Sequence, residues 1–254
     1  MPFERDDGVP LDELVLAQRP ADGELFALRE SFGYLDPVSG ARYRVPVSGW
    51  RTDLASVPHP LWSLVASYGR QSAPAVLHDH RSLVAAQRAG DDRPGALAQR
   101  REDDRVFRTA LREQGVPVLR TWLMWAWVSA DREREFGGVR GRLFVTQAVL
   151  APLALLVALV LAWWSPAWLL PAVVALLSSL AWGRLAGLQL LLTLTGAVLG
   201  PVVLAHLLPL AVFRLVEAAV ELVAGGEARS VLRPTVAGPR NRRGGKPGAD
   251  QGYP

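Results

Sequence analysis

The sequence has no cysteine. That excludes disulfides, zinc–thiolate sites, iron–sulfur clusters and a thiol nucleophile. Lysine is almost missing as well: of 28 basic residues, Lys246 alone is not arginine. Set beside the abundant Ala, Leu, Gly and Val, this usage reads as the product of a GC-rich coding sequence. Clusters of Arg are therefore not in themselves nucleic-acid patches. Charge is scarcest in one region, because residues 143–213 carry a single charged side chain, Arg184. Met1 to Asp12 is charged and lacks an apolar h-region. No secretory signal peptide is read there, and a head that starts in the cytosol is expected.

What is present explains an odd average. The 254 residues include 24 acidic side chains, for a net charge of +4. Mean hydropathy is +0.17 although 20% of residues are charged. The mean mixes unlike segments. Residues 1–142 hold 20 Arg and 20 acidic residues and are neutral overall; residues 214–254 hold seven basic and four acidic ones. A neutral head lacks the net basic charge that nucleic-acid binding favours, so no nucleic-acid partner is expected. Neither a uniformly soluble protein nor a wholly disordered one fits this division.

The fold class expected is a soluble α+β head, a small antiparallel sheet plus about four helices, followed by an all-α transmembrane region. Residues 1–23 read as a lead-in with one short strand near Leu14–Ala17, and the head as 24–130. Tyr43, Val45 and Val47 alternate with polar residues beyond the turn Asp36-Pro37-Val38-Ser39-Gly40, a β-hairpin pattern that Trp50 to Asp53 extends. Ser56-Val57-Pro58 signals a helix start. Further helices are predicted over 72–88, 97–114 and 117–130. Residues 131–142 form a charged connector with Arg132, Arg134, Arg140 and Arg142.

The membrane region is predicted at 143–224. Its first apolar stretch, 143–164, has 22 uncharged residues. As a helix it would reach about 33 Å, enough for a hydrocarbon core of ~30 Å. Trp163 and Trp164 stand at its end, where interfacial aromatics belong. The second stretch is 166–182 and the third 185–213. The third either stays one kinked helix or breaks at Gly200-Pro201, continuing through Arg214, Glu217 and Glu221 on one face. Four Arg before the first stretch place the head on the cytoplasmic side of a multi-pass cell-membrane protein. The basic tail 225–254 is expected to be disordered. The lipid bilayer is the partner this pattern implies, and a protein partner is not identified.

The residues that could carry chemistry cluster in Trp50-Arg51-Thr52-Asp53-Leu54-Ala55-Ser56-Val57-Pro58, with Trp62 and Tyr68-Gly69, then Ala75-Val76-Leu77-His78-Asp79, then Asp103-Asp104-Arg105-Val106-Phe107. Over about residues 24–130 this order resembles the bacterial and phage family of domain of unknown function 1353. His80 and Asp103 depart from its pattern. The resemblance implies a unit met in phage or prophage contexts and supplies no reaction. The step Ala-Val-Leu-His-Asp is also similar to that of HD phosphohydrolases, with His59 and Asp104 as formal further ligands. The hairpin at 25–47 conflicts with their all-helical fold.

Four candidate site residues follow: His78, Asp79, Asp53 and Asp104. An imidazole beside carboxylates suits general-base work or a hard-metal ligand set. The cofactor, and whether a metal binds, stay open. His78 and Asp79 are neighbours, so on a helix they point about 100° apart and cannot both face one site squarely. The plainer readings are that Asp53 caps a helix, that His78 is a buried histidine bonded to a carboxylate such as Asp53, that Asp104 pairs with Arg101 or Arg108, and that Ser56 is a cap. His206, in the third apolar stretch, reads as a helix-packing or interfacial residue, no acidic partner standing in the spans. One functional reading is a hydrolase-like or metal-binding head using His78 and nearby Asp. The other is a non-enzymatic interaction or assembly module, tethered to the membrane.

Overall fold

The computed structural model describes residues 2–18, 25–47, 49–54, 66, 68–226 and 231. Its head begins with strands β1 (Phe3–Arg5), β2 (Leu16–Gln18), β3 (Phe26–Leu28), β4 (Phe32–Leu35) and β5 (Arg42–Val45). They form two small antiparallel sheets, one ordered β1-β4-β5 and the other pairing β2 with β3. The expected hairpin is β4–β5. Its turn is held by the Asp36 carboxylate, which accepts from the backbone N–H groups of Val38 and Ser39, the self-bonding habit of Asp in turns. Gly40 supplies the positive φ (+70°).

β1 arises inside the supposed lead-in. Three residues are too few to show an alternation, and tertiary contact supplies what local pattern lacks. Phe3 sits opposite Tyr34 in the register, with ring centroids 4.9 Å apart, and packs edge-on against Phe32. Thr52 makes an isolated bridge to Phe26, so the stretch after Trp50 does extend the strands.

Among the described residues the head has three helices, α1 (Ser72–Arg88), α2 (Arg93–Glu113) and α3 (Val118–Phe136). The helix expected from Ser56, with its cap, lies outside the described residues, as do His59 and most of the tail. α2 starts before the expected 97. Asp92 accepts a hydrogen bond from Gly95 N at 2.8 Å, and Pro94 is tolerated in the first turn. α1 packs on α2, and α2 on α3. The sheet face bearing Phe3, Phe32, Tyr34 and Val45 closes over Val76, Leu77, Val106 and Ala110 to form the main core.

The charged stretch 131–142, read as a connector, takes a regular conformation. It is helical except at Gly137, completing α3 and opening α4 (Gly138–Leu161). Arg132 and Glu133 are buried there and paired, so polar residues that read as exposed have tertiary partners. After a 3-10 turn at Pro166–Trp168 come α5 (Leu169–Leu177), a second 3-10 stretch kinked at Gly183, and α6 (Ala186–Val223). α6 runs unbroken through Pro201 and Pro209, and Arg214 pairs with Glu217 at 2.9 Å on its surface.

Two stretches, Gly138–Leu161 and Pro166–Val223, are long and apolar enough to cross a membrane. Leu155, Ala158, Ala172, Ala175 and Ala197 form the core between α4, α5 and α6. Phe144, Ala126 and Leu188 join that bundle to α3. Small residues let the backbones approach. A Cβ on Gly196 would stand 2.7 Å from Pro152 Cγ, and one on Gly141 would stand 1.8 Å from the Glu133 carbonyl oxygen.

Gly141→Ala should therefore strain the α3–α4 junction and cost about 1–3 kcal/mol, the range typical of overpacking. Gly187, whose Cβ position is open, is the control. Thermal unfolding of the purified chain should show a lower midpoint for Gly141→Ala and none of that loss for Gly187→Ala.

Candidate functional site

α1 carries both His78 and Asp79, and the helical turn sends them to different places. The His78 imidazole faces α2. Its Nε2 is 2.9 Å from Asp104 Oδ1 and 3.0 Å from Arg100 Nη1, and its ring lies 4.7 Å from that of Phe107, centroid to centroid. Arg100 also donates to Ser82 Oγ, and that hydroxyl donates to the His78 carbonyl. An ionised carboxylate can only accept, so the bond to Asp104 places the proton on Nε2, and Arg100, which can only donate, then stands beside that nitrogen without a hydrogen bond to it.

Asp104 is the centre of the arrangement. It is fully buried. Besides His78, its Oδ2 accepts from Arg132 Nη1 at 2.5 Å and from Ser129 Oγ at 3.3 Å. Arg132 also donates twice to Glu133 Oε1. The expected pairing of Asp104 with Arg101 or Arg108 is corrected. Arg101 reaches Glu133 instead, and Arg108 stacks on Trp122 and Trp125. His78, too, bonds to Asp104 rather than to Asp53.

Electrostatics follow from this packing. Burial works against the Asp104 charge, but His78, Arg100 and Arg132 outweigh it and hold the carboxyl below its ordinary value. Burial pushes His78 down, Arg100 adds to the effect, and the Asp104 bond opposes it. The imidazole is thus neutral at pH 7. Its neighbour Asp103 is nearly closed from solvent and bonds Arg81 Nε at 2.8 Å. Burial pushes its carboxyl up.

Asp79 and Asp53 belong to a second locus. Thr52 Oγ1 donates to Asp79 Oδ2 at 2.5 Å and accepts from Leu54 N at 2.9 Å. Thr52 also exchanges both backbone hydrogen bonds with Phe26. Leu54 holds a positive φ of 63°, a conformation that a bulky residue keeps only under tertiary constraint. Threonine is thus the residue that ties the turn at 52–54 to both β3 and α1. The Asp79 carboxyl is pushed up to about 8, chiefly by burial, with the Asp53 charge adding and the Thr52 bond opposing.

The four candidates therefore do not converge. His78 and Asp104 meet in a closed network across α1, α2 and α3, and Asp79, about 100° further round α1, meets Thr52 and the charge of Asp53 instead. Among the described residues, no group of three or more His, Asp or Glu side chains is placed to hold a metal ion. A surface groove of about 420 Å³ is lined by Arg5, Asp6, Asp7, Arg29, Glu30, Ser31 and Val47; none of the four candidates reaches it. His206 is exposed and its Nδ1 bonds the Val202 carbonyl oxygen of its own helix.

Sequence reasoning missed Arg100, Arg132, Ser129 and Thr52. A signal existed for Arg100, which lies four residues before Asp104 and so on the same helical face. For Arg132 none existed, because its place in a run of charges reads as a solvated connector.

Residues 26–128 match the family described as "Protein of unknown function (DUF1353)". The match takes in β3 to β5, α1, α2 and the first half of α3. It ends just before Ser129 and Arg132, so two partners of Asp104 come from beyond it. No curated protein and no solved structure matches the chain.

The two loci respond differently to substitution. Arg132→Met leaves Asp104 buried without its closest cation and should destabilise the head by about 3–5 kcal/mol, read by chemical denaturation of the full chain; no loss of stability would contradict the assignment. The second responds to pH. The folded-state value of Asp79 lies above its ordinary 3.8, so its contribution is intact below that value and is lost as pH rises toward 8. Asp79→Asn keeps an acceptor for Thr52. It should match the parent near pH 4 and exceed it at pH 8 by on the order of 1–3 kcal/mol. The depressed His78 works in the opposite sense, with stability lost as pH falls below about 6.5.

Proposed function

We propose that this chain, whose segment 26–128 is a DUF1353 unit, is a membrane-anchored interaction module whose head acts by binding and not by catalysis. The carrying observation is the closure of the His78–Asp104 pair. Arg100 and Arg132 occupy the positions from which a substrate would meet the imidazole and the carboxylate, and the Phe107 ring covers a further side. A general base has to reach the proton it removes within about 3 Å. Here the imidazole is buried, its Nε2–H is given to Asp104 and its ring lies on Phe107, and the same side chains fasten three helices together.

The anchoring part of the reading rests on α4 to α6. α4 measures about 36 Å at 1.5 Å per residue, and the bundle displays Leu, Val and Trp over most of its outer surface. Arg140, Arg142 and Arg184 lie at the end of the bundle nearest the head, whereas the far turn Trp163 to Trp168 carries no charge. By the positive-inside tendency the head is cytoplasmic. One observation favours an enzymatic role instead: a carboxyl titrating near 8 at Asp79, beside Asp53 and Thr52. Acid–base work there would proceed without His78.

Two measurements test the proposal. The full chain should stay with the membrane fraction through alkaline carbonate extraction, and release into the supernatant would overturn the anchoring. His78→Asn should lower the unfolding midpoint markedly, because His78 is structural. A His78→Asn chain of parental stability that fails to support the protein's role in its host would instead assign the residue a chemical task.

A further inference from the structure

α3 has an outer face that the head core does not use. Thr121, Met124 and Ser129 point inward, while Leu119, Trp122 and Trp127 are exposed, Trp127 at 50%. At 100° per residue these three span an arc of about 140°, with Leu123 inside it and Arg120 at its edge; further along the same arc Ala126 and Ala130 pack against the apolar bundle, so the open part is the stretch that emerges from that contact. Three tryptophans within six positions, on a helix that also carries buried charges, are not what core packing alone requires. Trp holds an apolar body and a single polar N–H, and it is favoured where hydrocarbon meets water.

The position of this face is set by the apolar bundle. Trp125, Ala126 and Ala130 of α3 share a cluster with Phe144 of α4, with Trp182, and with Leu188, Leu191 and Leu192 of α6. Leu191 and Leu192 lie further along the bundle than Arg184, the charge nearest the start of α6. The middle of α3 therefore stands level with the first turns of the apolar helices. The cations are arranged to match. Arg108 stacks over Trp122 and Trp125 at 4.5 and 4.9 Å, and Arg140 lies 5.9 Å over Trp182. An arginine stem can follow an apolar surface while its guanidinium stays at the polar boundary.

We infer that the tryptophan- and arginine-bearing face of α3 rests on the anionic headgroup layer of the bilayer that α4 to α6 enter. The inference depends on the membrane reading above and deepens it. The head is not suspended on a free linker. It lies with α3 along the interface, with the aromatic rings at headgroup depth and Arg120 and Arg140 against lipid phosphates. Val38, 68% exposed at the tip of the β4–β5 turn, is the comparison position on the head.

The absence of native cysteine makes a direct test available. Full-length Leu119→Cys, Trp127→Cys, Val38→Cys and Leu153→Cys chains each take one environment-sensitive thiol dye. They are reconstituted in phosphatidylcholine vesicles containing phosphatidylglycerol. Spin-labelled phospholipids quench the dye, the label placed at the headgroup or deep in the acyl chain. Dyes at 119 and 127 should be quenched by the headgroup label about twofold or more above the dye at 38. The dye at 153, on the exposed mid-face of α4, should respond to the deep label. Omitting phosphatidylglycerol should reduce quenching at 119 and 127; unchanged quenching would overturn the anionic preference. If 119 and 127 behave like 38 while 153 is quenched, the docking is overturned and the anchoring stands. If 153 is not quenched either, the anchoring itself fails, and the docking with it.

Discussion

A carboxylate removed from water has to be met by positive charge and hydrogen-bond donors, and in this protein that requirement falls on Asp104. An isolated buried ion costs several kcal/mol. Its two oxygens are supplied by an imidazole from α1, a guanidinium and a hydroxyl from α3, and a second guanidinium one turn earlier on α2. The partners are useful only within about 3–4 Å, so the demand of one carboxylate constrains how the three helices lie against each other. The apolar contacts around it, Phe107 and Leu111 against Ala75 and Met124, stabilise the same arrangement without specifying its register so narrowly.

The constraint reaches beyond the head. Arg132 and Glu133, which complete the network, sit in the last turn of α3, and Gly137 with Gly138 then turns the chain directly into α4. Gly141 lies against the Glu133 carbonyl with no room for a side chain. The buried charge, the glycine contact and the first apolar helix therefore form one continuous mechanical unit.

Much of this was legible in the sequence. The hairpin turn at Asp36–Gly40 announces itself through residue chemistry, and the apolar stretches through length and the lack of charge. The box at Thr52 and the step His78-Asp79 were visible as unusual. The divergence of His78 from Asp79 follows from helical geometry alone. Less visible was β1, since a lone Phe among charges has no period to read. Nor did the partners of Asp104 show. Arg101 and Arg108 are near in sequence but turn elsewhere, and Arg132 is 28 residues away. Charge density at 131–142 suggested solvent exposure because local composition reports average polarity and is blind to which individual side chain finds a buried partner.

What the sequence by itself determined is the division of the chain into a neutral α+β head and an apolar helical region, together with the residue types available for chemistry. Both are properties of neighbours along the chain: periodicity, turn residues, and runs with or without charge. What only the tertiary structure decided is which of those residues meet. His78 is buried against Asp104, Arg100 and Phe107, and Asp79, the next residue on the same helix, meets Thr52 instead. The connector at 131–142 became the helical junction of α3 and α4. Such outcomes depend on distances across helices, and those are fixed by the packing of segments far apart in sequence around a charge that has to be neutralised.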